Sequence, residues 1–317
     1  MTAARSFSYV LPLRRASPIA GTEQLGEYLE ELVGWCDDVI VVDGSEPGVF
    51  AAHAEILPAS IRHVEPDPRH RCLMGKVAGV LTGVDVARYD RVVVADDDVR
   101  YDRDGLLEVV ALLSDHDLVR PQNFFEPLPW HAIWDTARTL LNRGAAGADF
   151  PGTLGVRRST LLAAGGYDGD VMFENLELIR TIRAHGGTIS TPLDLYVARR
   201  PPDARYFLSQ RVRQAYDDFA IPGRMLLWLA IAPATVLARR HRRRLLGAGG
   251  TLAVALAERG RRRAGGAARF PVLSSLLAPG WLAERALCSW LALAQLLIFG
   301  GVRYRGGVIR VAAHSER

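Results

Sequence analysis

Short runs of consecutive apolar residues punctuate the first two-thirds of the chain, separated by stretches with apolar residues at helical spacing. Residues 8–15 read SYVLPLRR, 37–45 read DDVIVVDGS and 91–98 read RVVVADDD. Four apolar residues in a row, rich in valine and isoleucine, predict strands protected on both faces, as in a sheet covered by helices. Between the second and third runs lies MGKVAGVLTGVDVA, which reads as a connecting helix. From Trp130 onward, Trp134, Arg138 and Leu141 fall at near-helical spacing and predict a further helix. Pro151-Gly152-Thr153 then opens a strand, GTLGVRRS. Strands alternating with helices in this way predict an α/β fold built on a doubly wound sheet.

The pattern changes after residue 222. Three apolar runs, 225–238, 245–257 and 286–302, are separated by the arginine clusters RRHRRR (239–244) and RGRRR (259–263), with Arg303 and Arg305 after the last. Residues 223–317 hold 16 Arg and 3 Glu, a net of +13 against a whole-chain net of +4, so the first 222 residues carry −9. A division into 1–222, catalytic, and 223–317, helical and basic, follows. The arginines alternate with apolar runs rather than with base-stacking aromatics, which favours a membrane surface with anionic headgroups and argues against nucleic acid. A 14-residue helix reaches about 21 Å and a 17-residue one about 25 Å, short of the about 30 Å of a hydrocarbon core. Interfacial or re-entrant helices therefore fit better than single spans, and the alternative is one transmembrane hairpin, since flanking arginines can snorkel and lengthen each run. The apolar fraction of 49% and mean hydropathy of +0.06 agree with such an association. Cys36, Cys72 and Cys288 lack metal-like spacing and indicate a reducing compartment. The first residues lack the apolar run of a signal peptide. The expected location is the cell membrane, with the catalytic part facing the cytoplasm.

Chemistry concentrates at the strand ends. The third run stops at Asp96, Asp97 and Asp98. Along an extended chain Asp96 and Asp98 would point the same way, offering two hard oxygen ligands to Mg²⁺ or Mn²⁺, with phosphate oxygens completing the coordination. The second run stops at Asp43, followed by Gly44-Ser45. Lys76 is the only lysine of the chain, which marks a place where a compact ammonium is preferred to a planar guanidinium. Ligands of open α/β sheets collect at the carboxyl ends of strands, and these residues are ordered along the chain as a nucleotide site would need.

With these residues in order, the sequence resembles the family 2 glycosyltransferases, which have the GT-A fold, a Rossmann-like mixed sheet. The resemblance covers about residues 7–220. It implies a nucleotide-diphosphate sugar as donor, held by Pro12, Arg14, Asp43, Gly44, Lys76, Asp96, Asp97 and Arg213, with Asp43 on the base and Asp96-Asp97-Asp98 as the DxD metal motif. GGYDGDVMFENLELIRTIRAHGGTI (165–189) is similar to that family's acceptor block, placing Gly166 and Tyr167 at the acceptor. QRVRQ (210–214) resembles the QxxRW motif of membrane-embedded members that make glycolipids or polysaccharides, and adds Gln210 to the acceptor set. Trp130 and His131 are further acceptor-site candidates, His131 being otherwise a structural histidine. Arg211 and Arg213 either clamp the departing diphosphate or lie solvated.

The sequence departs from the family pattern twice. The family's base is the Asp of a Glu-Asp pair, and here that position is Asn175, whose amide accepts no proton at neutral pH. Glu174 and Glu177, three residues apart on one helical face, are alternative bases, as are Asp168 and Asp170. Gln214 stands where the last motif would have Trp, which weakens a processive role. The expected activity is metal-dependent, inverting sugar transfer to a lipid or lipid-linked glycan acceptor. The competing readings are a nucleotidyltransferase, disfavoured because no glycine follows the first strand before Gly21, and an inactive membrane-bound relative.

Overall fold

The computed structural model describes residues 5–17, 22–145, 147–304 and 307–315; Gly21 and Arg305 lie outside the described residues. The predicted strands are present as β1 (Ser8–Leu13), β2 (Asp38–Asp43) and β4 (Arg91–Ala95), joined by α1 (Thr22–Trp35), α2 (Pro47–Ile56), β3 (Arg62–Val64) and α3 (Gly75–Val86). They belong to a seven-stranded sheet in the order β3-β2-β1-β4-β8-β6-β9, where β6 is Leu118–Val119, β8 Thr153–Arg157 and β9 Ile189–Ser190. β1 pairs in parallel with β2 and β4, whereas β8 runs antiparallel to β4 and β6, so the sheet is mixed.

Period-two alternation sorts each strand between two cores. Val10, Ile40, Val42, Val92 and Val94 pack with Val77, Val80 and Val84 of α3 and with Ile179 and Ile182 of α7 (Glu174–Ala184). Tyr9, Leu11, Val39, Val41 and Val93 pack with Leu25, Leu29 and Leu32 of α1 and with Leu106 and Val109 of α4 (Arg103–Leu112). β1 has β2 on one side and β4 on the other, so the chain reverses direction across the sheet beside β1. That switch point opens a crevice at the carboxyl ends of β1, β2 and β4.

A small sheet, β5-β10-β7 (β5 Val99–Arg100, β7 Gln122–Phe125, β10 Tyr196–Arg199), stands beside this crevice. α5 (Trp130–Ala145), α6 (Arg158–Ala163), α8 (Ala204–Ser209) and α9 (Arg211–Tyr216) follow. α9 runs into a 3-10 turn, Asp217–Ala220.

The part beyond residue 222 contains α10 (Pro222–Leu237), α11 (Arg242–Arg262), α12 (Val272–Leu276), α13 (Ala278–Phe299) and the hairpin β11-β12 (Val302–Tyr304, Gly307–Ile309). Met225, Cys288, Ala292, Val302 and Ile309 join the core under the main sheet, so both sides of residue 222 share one hydrophobic core. The apolar run 245–257 is only partly available to a membrane. Ala253 and Ala257 are buried against Ala137, Leu140 and Leu141 of α5. A Cβ at Gly260 would overlap the Leu140 carbonyl oxygen, and one at Gly144 that of Leu256, so glycine lets the two helix backbones touch. The second arginine cluster is partly engaged within the fold: Arg261 pairs with Glu258 and Arg263 donates to the Arg143 carbonyl, while Arg262 pairs with Glu258 at the surface. By contrast, residues 239–244 are all exposed. α13, with 22 residues, is long and apolar enough to cross a bilayer, and 28% of its most apolar window is buried.

Candidate functional site

The crevice is a cavity of 810 Å³. Of the residues expected to hold a donor, Pro12, Arg14, Gly44, Lys76, Asp96, Asp97 and Arg213 line it. Asp98, His131 and Gln210 line it too. Seven cationic side chains and five carboxylates share its wall, a composition suited to a diphosphate together with a cation.

The acidic triplet occupies a turn, not an extended chain: the Val99 amide donates to the Asp96 carbonyl at 3.0 Å. Asp96 and Asp98 nonetheless converge, because both carboxylates reach the Arg199 guanidinium, at 3.4 and 2.8 Å. One buried oxygen of Asp98, Oδ1, has no hydrogen-bond partner. Burial pushes the Asp98 carboxyl up to about 6, against the pull of Arg199 and with a further push from Asp96. Gly152 closes the turn. A Cβ there would lie 2.8 Å from Asp96 Oδ2 and 3.1 Å from Arg199 Cζ. Asp97 diverges and pairs with Arg15 at 3.0 Å.

Lys76, in the first turn of α3, lies between the triplet and α7. Its ammonium reaches Asp96 Oδ1 at 2.6 Å, Glu174 Oε1 at 2.9 Å and Asn175 Oδ1 at 3.2 Å. Three acceptors arranged around one nitrogen match the three N–H bonds of an ammonium, which accounts for lysine in a chain otherwise built with arginine. Burial lowers its pKa, but Asp96 and Glu174 outweigh this and hold the amine well above its ordinary range.

Several expected roles do not match the geometry. Asp43 is buried and absent from the cavity wall. Its Oδ1 accepts from the Ser45 amide, and its Oδ2 faces His53 Nδ1 at 2.6 Å and His63 Nε2 at 3.1 Å, leaving no oxygen turned to a nucleotide base. Burial pushes its carboxyl up, but the hydrogen bonds from Ser45, His53 and His63 bring it below the usual range. Asp67, beyond β3, lines the cavity instead.

Glu177 also faces away, accepting from the His314 amide at 2.7 Å and meeting His314 Nδ1 at 2.9 Å. Asp168 accepts from the Asp170 amide, and Asp170 from the Leu73 amide, so both pin loops. Gly166 has φ +85° and serves the turn into the acceptor block, while Tyr167 is buried in the sheet core. Trp130 is 59% exposed and packs edge-on against His131 and Phe207, outside the cavity wall. Arg211 is a structural tie, bound to Asp135 at 2.8 Å and to Glu284 of α13. Arg213 lines the cavity and donates to Gln210 and to the Met172 sulfur.

Of the sequence candidates for a base, Glu174 lines a second cavity of 320 Å³ that shares Lys76, Asp96, Arg199 and Arg213 with the first, whereas Glu177, Asp168 and Asp170 line neither of these two. Asn175 lines it as well, its Nδ2 donating to the Pro151 carbonyl at 2.9 Å. Arg199, Asp217 and Asp218 were not legible as site residues. The only sequence signal for the last two is a pair of acids flanked by Ala215-Tyr216 and Phe219-Ala220, shortly after QRVRQ.

No curated protein matches the chain by sequence. Residues 58–120 match the model of glycosyl transferase family 21. Among solved structures, a mannosyltransferase from Pyrobaculum calidifontis, in complex with GDP-Man and Mn2+, is similar over 90% of this chain and 87% of that one, with 18% identity and a TM-score of 0.56. Glucosyl-3-phosphoglycerate synthase from Mycobacterium tuberculosis, in complex with Mn2+, UDP and phosphoglyceric acid, covers 67% of this chain and 76% of its own, with 19% identity and a TM-score of 0.43. The chain thus has the GT-A glycosyltransferase fold, and its family 21 match spans the segment that supplies Lys76 and the Asp96–Asp98 turn.

Proposed function

We propose that the protein transfers a sugar from a nucleotide-diphosphate donor to a lipid or lipid-linked glycan acceptor with Mg²⁺ or Mn²⁺ as cofactor. The convergence of Asp96 and Asp98 at the wall of the large cavity carries this reading. The residues fit a divalent cation: two hard carboxylates aim at one point, and Asp98 keeps a buried oxygen unpartnered. Asp96 and Asp98 would hold such a cation, which would neutralise charge on the leaving nucleoside diphosphate. Arg199, which pairs with these carboxylates in the structure, and Arg213 and Arg14 on the same wall supply guanidinium donors suited to phosphate. Lys76 ties Asp96 to Glu174 through one ammonium. Inversion at the anomeric carbon follows from the family resemblance.

The lipid side of the proposal rests on exposed apolar surface beyond residue 222. Leu226, Leu227, Val236 and Leu237 of α10 are exposed, Leu237 by 85%, as are Leu297 and Ile298 at the end of α13. The exposed arginines of 239–244 directly follow α10. Exposed apolar surface of this kind marks interaction sites, and the arginines that follow it in the chain suit anionic headgroups on the cytoplasmic face.

Calorimetry of the full chain against UDP- and GDP-sugars, with and without Mn²⁺, tests the donor site. Metal-dependent binding in the wild type that is lost in Asp98→Ala is expected. Equal binding with and without metal would refute it. Flotation with phosphatidylglycerol vesicles, and none with the chain carrying Leu226→Glu and Leu237→Glu, is the corresponding outcome for the membrane face.

A further inference from the structure

The second cavity is bounded by α7, the 3-10 turn after α9, α10 and α13, and meets the donor cavity at Lys76, Asp96 and Arg213. Its polar groups are unusually incomplete. Trp228 and Trp281 meet edge to face, with centroids 6.3 Å apart, and neither indole N–H has an acceptor. Trp281 is 3% exposed. Buried donors without acceptors are costly unless a ligand or water completes them. Three carboxylates besides Asp96 line this chamber. Glu174 is neutralised by Lys76, and Asp218 by Arg224 at 2.5 Å with Arg285 at 3.6 Å. Asp218 Oδ2 and Asp217 Oδ1 are both buried without a hydrogen bond, but Asp217 differs in that, among the described residues, no cation stands within ion-pair distance of it, whereas Asp218 has Arg224 and Arg285.

We propose that this chamber receives the hydroxylated head group of the acceptor and that Asp217 is the catalytic residue that takes the proton from the attacking hydroxyl. The inference rests on the donor-site reading above. The acceptor oxygen bonds to the anomeric carbon as the bond from that carbon to the β-phosphate oxygen breaks. The nucleoside diphosphate leaves with the bonding pair, and the hydroxyl proton passes to Asp217. The indole N–H groups of Trp228 and Trp281 supply donors to hydroxyl oxygens of the same head group. The charged groups facing Asp217 are Arg213 from α9, Glu174 from α7, its own neighbour Asp218 and Arg285 from α13. Burial pushes its carboxyl up to about 7, offset in part by Arg213 and reinforced by Glu174. A carboxylate in that range is matched to proton abstraction near neutral pH. It also resolves the position left by Asn175, whose amide is held between Lys76 and Pro151.

The test uses the full chain with Mn²⁺ and whichever of UDP-glucose, UDP-N-acetylglucosamine or GDP-mannose binds. Hexyl β-glucoside serves as the hydroxyl probe, and nucleoside diphosphate release is followed from pH 5.5 to 8.5. Asp217→Asn should keep donor affinity within about twofold and lose roughly 10²–10⁴ in turnover. The wild-type rate should rise through about pH 7, and that limb should be absent from the residual rate of Asp217→Asn and displaced in Asp217→Glu. Independently of turnover, hexyl glucoside should perturb tryptophan fluorescence in the wild type and not in the Trp228→Phe, Trp281→Phe double variant. Asp217→Asn with near-normal turnover, or with the limb intact, overturns the assignment of Asp217 alone. Absence of any fluorescence response in the wild type overturns the chamber. Absence of Mn²⁺-dependent donor binding in the wild type instead sinks the donor-site reading and this inference with it.

Discussion

Asn175→Asp would restore the acid that the family pattern has at this position, and the structure expects the substitution to be harmful. The amide uses both ends: Nδ2 donates to the Pro151 carbonyl at 2.9 Å, and Oδ1 accepts from Lys76 at 3.2 Å. A carboxylate keeps the second contact but turns an oxygen toward the Pro151 carbonyl. Its gain from Lys76 is small, since that ammonium already neutralises Asp96 and Glu174. Losing the donor and leaving a partly buried carbonyl unmet costs about 1–3 kcal/mol. At about 2–4 °C per kcal/mol for a chain of this class, a cost of about 2 kcal/mol lowers Tm by about 4–8 °C. The sign of the pH dependence separates this from a generic packing defect. When protonated, the introduced carboxyl can donate to Pro151 again, so the fold raises its pKa above the unfolded value of about 3.9. The penalty is then absent below the unfolded pKa and grows as pH rises through the folded one. Melting curves at pH 5 and pH 8 should show a gap from the wild type that widens with pH. Asn175→Ala, which loses both contacts without adding charge, should show a gap that does not. A pH-independent gap for Asn175→Asp, or none, would refute the Pro151 contact. A rise in turnover would return the base to position 175.

Two further outcomes follow from the same geometry. Lys76→Arg keeps the charge but cannot direct three N–H groups from one nitrogen at Asp96, Glu174 and Asn175; losing one charge-assisted bond costs about 1.5–3 kcal/mol, read as a lower Tm, and an unchanged melt would show that the triple contact is not formed. Gly260→Ala would drive a methyl into the Leu140 carbonyl and to 2.8 Å from the Gly144 amide; separating α5 from α11 should cost about 1–3 kcal/mol or more, measured by urea denaturation, and a neutral result would mean that the helices do not cross there.

The sequence by itself determined the strand core and the edge of the sheet where chemistry occurs. Runs such as VIVV and VVVA are stable only when covered on both faces, and the alternation within them suffices to divide Val10 from Tyr9 and Leu11 between two cores. Acids at the ends of such runs must face a solvent-filled crevice, so Asp96 and Asp98 were legible without coordinates. Which charged partners they meet was not. Arg199 reaches the triplet from a strand of the small sheet about a hundred residues away, and no local periodicity encodes that distance. Asp43 shows the converse: its place at a strand end was clear, but only the fold brings His53 and His63 onto its carboxylate and turns it inward. The basic, apolar end was read from composition as one membrane-facing unit. Tertiary structure divided it, because composition records how apolar a helix is but not which neighbour covers it. Ala253, Ala257 and Gly260 are small enough to let α11 lie on α5, whereas Leu226, Leu227 and Leu237 of α10 find no such partner among the described residues and remain exposed.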